Sequence, residues 1–183
     1  MPTPPKFRRK NIRLPAGRYS GSGAYFITLC FHNRHRFGTN PLLVAWLVEQ
    51  LRKHAAACSF HIHAYCVMPD HLHVLAAAAS GESDLIKLVE SFKQETALEF
   101  MRRTHRPLWQ FKYYDRILRG TDGIDRVACY IWMNPVRQGL CRAPSEYPFL
   151  GAFTEIGQKM LKSFAIPDWT PPWKTENNKT VPR

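Results

Sequence analysis

The chain has 183 residues, 45% of them hydrophobic and 22% charged, enough for one domain with a hydrophobic core and unlike the composition of disordered, collagenous or coiled-coil chains. Lys plus Arg number 26 against 14 for Asp plus Glu, a net charge of +12, which points to a polyanionic partner, nucleic acid before an acidic membrane surface. No stretch nears the roughly 18 apolar residues of a membrane span, and no apolar segment follows the basic start, so no membrane protein or secretory leader is expected and the cytoplasm is the expected compartment.

In chain order, residues 1–20 hold Lys6, Arg8, Arg9, Lys10, Arg13 and Arg18 without an acid, among Pro2, Pro4, Pro5 and Pro15. They read as a basic arm, either solvated or contacting phosphates. The β-branched and aromatic run 24–31 follows Gly21-Ser22-Gly23 and predicts a first strand. Asn40 and Pro41 suit an N-cap and first helical position for a helix over 42–57, with Leu43, Trp46, Leu47 and Leu51 on one face. Residues 60–67 and 71–77 predict a hairpin reversing at Met68-Pro69-Asp70. Ser83 or Asp84 can cap a second helix to about residue 104, with Leu85, Leu88, Val89, Phe92, Ala97, Leu98 and Met101 as its buried stripe. An aromatic extended segment spans 108–114. A third helix runs from about 122 to 133, interrupted at Asn134-Pro135 and closed at Gly139. Beyond Cys141 the prolines predict a segment wrapped on the surface. The order β-α-β-β-α-β-α predicts an α+β, ferredoxin-like antiparallel sheet with helices on one face. Cys30, Cys58, Cys66, Cys129 and Cys141 are odd in number with no CxxC pair, which suits reduced, mostly buried thiols.

Two clusters carry candidate chemistry. His71 and His73 are two apart on a strand, so both imidazoles share a face and can converge on one cation while Leu72 anchors the strand. A bare HxH also arises by chance on surfaces, and His61-Ile62-His63 repeats the pattern far from the hairpin turn. That second pair reads as structural, with a zinc site including Cys58 as the lesser option. On the third helix, Tyr130 and Asn134 are four apart and share a face. Two imidazoles and an amide oxygen leave open positions on a cation for phosphate oxygens, the arrangement for metal-assisted attack of a phenol on a phosphodiester. The plainer readings are a core tyrosine and an asparagine capping a short helix that starts at Pro135.

Four ordered blocks then become recognisable: Gly23-Ala24-Tyr25-Phe26-Ile27-Thr28; Ala64-Tyr65-Cys66-Val67-Met68-Pro69-Asp70-His71-Leu72-His73; Trp109-Gln110 with Tyr114-Asp115-Arg116-Ile117-Leu118-Arg119; and Tyr130-Ile131-Trp132-Met133-Asn134-Pro135-Val136-Arg137-Gln138-Gly139-Leu140. Together, over roughly residues 8–150, they resemble the REP-associated tyrosine transposases, relatives of single-tyrosine transposases in the superfamily named for its His-hydrophobic-His motif. The resemblance implies a catalytic domain over 21–142 between the arm and a Pro-rich segment 143–183. It implies His71, His73 and Asn134 as metal ligands, Tyr130 as nucleophile and Mg²⁺ or Mn²⁺ as cofactor. The implied reaction is cleavage and rejoining of hairpin-bearing single-stranded DNA, the repetitive extragenic palindromes, through a 5′-phosphotyrosine. Tyr113 and Tyr114 are the rival nucleophiles.

DNA contacts are expected from Arg8, Arg9, Lys10 and Arg13 of the arm and from Lys112, Arg116, Arg119 and Arg137, with Trp109, Tyr113 and Tyr114 as stacking surfaces or core. Arg116 has a second reading as partner of Asp115 or Asp125. The competing functions are a non-cleaving hairpin DNA or RNA-binding protein of the same ancestry and a phosphoesterase using water. The pattern leaves monomer and homodimer equally open.

Overall fold

The computed structural model describes residues 23–119 and 122–163; the basic arm, with Arg8, Arg9, Lys10 and Arg13, and the tail after residue 163 lie outside them. The elements are β1 (Ala24–Cys30), α1 (Pro41–Ala57), β2 (Phe60–Met68), β3 (His71–Ala78), α2 (Leu85–Thr104), β4 (Tyr114–Ile117), α3 (Ile124–Trp132), α4 (Asn134–Arg137), β5 (Leu150–Gly151) and α5 (Glu155–Lys162). The strands form one sheet in the order β4-β1-β3-β2-β5 with every neighbour antiparallel. β3 lies between β1 and β2, and β1 between β3 and β4, so two β-α-β units interleave as the ferredoxin-like pattern requires.

Period-two alternation decides what each face buries. Tyr25, Ile27 and Leu29 of β1 and Leu72, Val74 and Ala76 of β3 join α1 and α2 in one core. Phe26 and Leu75 turn to the other face, where Val127, Ala128, Ile131 and Trp132 of α3 cover them. Helices therefore lie on both faces of the sheet and not on one, because the apolar stripe of α3 finds its complementary surface opposite α1 and α2. In β2 an extra residue between Ile62 and Ala64 shifts the register against β3. This bulge turns Ala64, Cys66 and Met68 toward α3, although Phe60 and Ile62 face α1 and α2.

The local signals act where expected at α1. The Asn40 side chain accepts from the N–H groups of Leu42 and Leu43, and Pro41 opens the helix. At α2 Asp84 is the cap, whereas Ser83 is buried and donates to the Ser59 carbonyl. The stripe of α2 continues through Thr96 and Phe100, leaving Leu98 and Met101 exposed and Ala97 partly buried. The spacing 85, 88, 89, 92, 96, 100 keeps one phase of the helix, and positions 98 and 101 fall outside it.

The segment after Cys141 does more than wrap the surface. It supplies β5, paired with β2 at Tyr65 and Cys66, and the fully buried Trp132 donates its indole N–H to the Gly151 carbonyl. Trp132→Ala removes that bond and leaves a large cavity between α3 and the sheet. It is expected to cost about 3–5 kcal/mol of folding stability in denaturant unfolding, and an unchanged midpoint would show that this face is not part of the cooperative unit.

Candidate active site

The face under α3 is tiled by cross-strand rows. Met68, His71 and Cys30 form one row; Cys66, His73, Thr28 and Tyr114 form the next; Ala64, Leu75, Phe26 and Arg116 form a third. Pro69 and Asp70 make a two-residue turn between β2 and β3, which puts His71 at the start of β3 and His73 one row further in.

The two imidazoles converge, with His71 Nε2 and His73 Nε2 2.9 Å apart. Each ring is held from behind through its other nitrogen. His71 Nδ1 lies 2.6 Å from Asp70 Oδ1, and His73 Nδ1 lies 2.9 Å from Thr28 Oγ1. Asp70 is in turn bonded by Arg34 Nη1 at 3.1 Å. Burial pushes the Asp70 carboxyl up, but the hydrogen bonds and charges of His71 and Arg34 outweigh it and hold that carboxyl below its ordinary value. The Asp70 carboxylate thus engages His71 through Nδ1 and leaves Nε2 as the ring nitrogen turned toward His73. Phe26 stacks on His73 at 5.2 Å between ring centroids, which fixes the plane of that imidazole.

This donor set fits a divalent cation. Metal-binding histidines characteristically use their second nitrogen to bond a carboxylate or another oxygen, and both Nδ1 atoms are so engaged. Among the described residues no three His, Cys, Asp or Glu side chains gather as a metal site, so further ligands would come from an amide, substrate or water. Cys66 is next to His73 in the same row; burial pushes its thiol well up, and its Sγ donates to Met68 Sδ.

Tyr130 reaches the same place from α3. Its ring lies 6.4 Å from His73 and 5.9 Å, edge-on, from Phe26, and Arg137 sits 4.9 Å above it. The residue is 3% exposed. Asn134 does not cap α4 through its side chain. Its Nδ2 donates to the carbonyls of Tyr130 at 2.8 Å and Ile131 at 3.2 Å, and neither bond uses Oδ1, the atom a cation would take.

The other singled-out residues separate by position. Tyr113 packs against the α1 and α2 core with Lys93 near its ring, away from the histidines. Tyr114 lies on the site face, its ring 6.1 Å from Phe26. Trp109 belongs to the core: it stacks on Phe31 at 4.9 Å and donates to Thr96 Oγ1, so it offers no face to a base. Arg116 pairs with neither Asp115 nor Asp125 but with the buried Asp122, at 3.5 Å. Asp122 also accepts from the Arg119 backbone N–H, tying the approach to α3 onto β4. Lys112, Arg119 and Arg137 are exposed.

The second HxH pair stays apart, as its distance from the turn predicts. His61 pairs with Ala77 at the far end of the hairpin, His63 bonds Thr154 Oγ1, the cap of α5, and Cys58 is buried in the α1 and α2 core. Sequence reasoning missed Thr28, Asp70, Arg34 and Phe26. Asp70 adjoins His71 in the chain and was legible only as a turn residue. Thr28 meets His73 across 45 positions, and nothing local marks it.

Known proteins share this framework. A family model described as IS200-like transposases matches residues 21–134. A REP-associated tyrosine transposase from Escherichia coli (strain K12) is 26% identical over 140 residues, covering 72% of this chain and 77% of the relative. A solved structure of a REP-associated tyrosine transposase bound to a REP hairpin superimposes with a TM-score of 0.65 at 23% identity, covering 83% of this chain and 87% of the other. With a family match over more than half its length, laid across the strands and helix that bring His71, His73 and Tyr130 together, this chain belongs to the IS200-like transposases.

Proposed function

We propose that the protein cleaves and rejoins hairpin-bearing single-stranded DNA of the repetitive extragenic palindrome type, with Tyr130 as nucleophile and His71, His73 and Asn134 as ligands of Mg²⁺ or Mn²⁺. The observation that carries this reading is the packing of the Tyr130 ring against His73 on the one sheet face where the two Nε2 atoms converge. In the cleavage step the Tyr130 oxygen bonds to phosphorus and the bond from phosphorus to the 3′ oxygen breaks. The products are a 5′-phosphotyrosine and a 3′-hydroxyl, and the phenol proton ends, in sum, on the 3′ oxygen. The ester is conserved in the protein–DNA bond, so rejoining needs no ATP. A divalent cation supplies Lewis-acid polarisation of the phosphate and favours ionisation of a phenol whose ordinary pKa is about 10. Arg137, above the Tyr130 ring, adds positive charge where phenolate and phosphate meet. Lys112 and Arg119 extend the basic surface for the DNA, and the arm with Arg8, Arg9, Lys10 and Arg13 contacts bases beside the hairpin. Arg116 acts through its ion pair with Asp122, holding α3 in place.

The test is incubation with labelled single-stranded DNA carrying a repeat hairpin and flanks, with Mg²⁺ or Mn²⁺, followed by a denaturing protein gel. Label that migrates with the protein, and is lost when a chelator is added first, is the expected result. Hairpin binding without any adduct would instead leave a binding protein of the same ancestry, and cut strands without adduct would mean hydrolysis by water.

A further inference from the structure

Two basic runs that lie far apart in the chain meet where Arg106 reaches His35 and Phe37. Residues 32–36 contain His32, Arg34, His35 and Arg36, and the first acid in the chain is Glu49. Residues 102–106 contain Arg102, Arg103, His105 and Arg106. Arg106 Nη2 lies 3.4 Å from His35 Nε2, and its guanidinium sits 5.0 Å from the Phe37 ring. Glu99 occupies Arg102 and Arg103, and Asp70 occupies Arg34. Among the described residues Arg36 and Arg106 form no ion pair, and both are exposed.

The first run is fastened to the site. Phe31 N donates to the Asp70 carbonyl and Gly38 N to the Pro69 carbonyl, so this loop begins and ends on the turn that precedes His71. A Cβ at Gly38 would collide with the Met68 carbonyl, and Asn33 and Arg34 are held at φ 48° and 55°, a left-handed pair that only a firmly held loop keeps. Alongside runs the segment 108–111: His32 N donates to the Leu108 carbonyl and Gln110 N to the Cys30 carbonyl. Lys93 Nζ grips the carbonyls of Gln110 and Phe111 at 2.8 Å each. On that clamped backbone Phe111 is 94% exposed.

We infer that Arg36, Arg106 and Phe111 form a track for the unpaired strand flanking the hairpin, leading it to His71 and His73. The two guanidiniums meet phosphates and Phe111 stacks on a base, the combination by which proteins hold single strands without reading sequence. The inference rests on the DNA-cleaving reading above and adds a surface to it.

Fluorescence anisotropy with two labelled oligonucleotides, the repeat hairpin alone and the hairpin with its single-stranded flanks, tests it across a potassium chloride series. For the flanked hairpin, Arg36→Gln with Arg106→Gln is expected to lower the slope of log affinity against log salt by about 1.4, or about 0.7 for each phosphate that the protein no longer neutralises. Phe111→Ala is expected to weaken flanked-hairpin binding about tenfold with the slope unchanged, because one base no longer stacks. Binding of the bare hairpin should change less than about twofold, because these oligonucleotides differ only in the strand the track would hold. Unchanged slope and affinity on the flanked hairpin overturn the inference and leave the adduct chemistry standing. Equal weakening on both oligonucleotides also overturns it, by placing these residues under the duplex. If the wild type binds neither oligonucleotide, the DNA-cleaving reading fails and takes the track with it. Melting curves of the variants, all altered at exposed side chains, establish that they remain folded.

Discussion

Tyr130→Phe is expected to abolish the covalent protein–DNA adduct, reducing its formation by at least about a thousandfold, as removal of a nucleophile does in other covalent enzymes. The substitution deletes one oxygen and keeps the ring, so the packing with Phe26, His73 and Arg137 survives. Folding stability should fall by only about 1 kcal/mol, the net worth of a typical hydroxyl hydrogen bond. Hairpin affinity should therefore persist while the adduct disappears, and the denaturing gel read beside an anisotropy titration separates the two. An adduct that survives would move the nucleophile to Tyr114, which shares the sheet face with His73 and Thr28. Tyr113 is not an equal rival, because its side chain packs with the α1 and α2 core.

His73→Ala is expected to eliminate Mn²⁺ binding measured by titration calorimetry, weakening it more than about a hundredfold. The change removes one of two converging nitrogens and also strips Thr28 and Phe26 of their shared partner. Thr28→Val and Asp70→Ala leave both imidazoles in place but release one ring each from behind, and each is expected to weaken Mn²⁺ binding about 10–100-fold. This graded series separates a cation site from a mere pair of hydrogen-bonded histidines. If the pair only bonds to itself, none of the three variants changes Mn²⁺ affinity, and the melting temperature falls most for His73→Ala because that ring is buried.

Much of the site was legible because its chemistry repeats at the period of its own element. His71 and His73 share a strand face by alternation, and Tyr130 and Asn134 share a helix face by turn spacing, whatever the rest of the chain does. The Asn40 cap, the Pro69-Asp70 reversal and the alternating run of β1 are likewise contacts among near neighbours, so composition and spacing alone determined them. Family resemblance over ordered blocks implied the roles proposed for these residues, which no spacing contains.

What the tertiary structure decided is which surfaces meet. The pattern of α3 shows a buried stripe but not against which face of the sheet. Burial of Trp132, Ile131 and Val127 on Phe26 and Leu75 places that helix opposite α1 and α2 and so delivers Tyr130 to His73. The bulge at β2 is equally invisible locally, since it is a register shift between two strands. Thr28 supports His73, and Arg116 pairs with Asp122 in place of its near neighbours Asp115 and Asp125, only because of cross-strand and loop packing. Trp109 became core because Thr96, one turn of α2 beyond Phe92, offers its hydroxyl to the indole. Periodicity assigns a residue to a face of its own helix or strand; the burial of apolar area across elements distant in sequence assigns that face its partner, and the partner decides the chemistry.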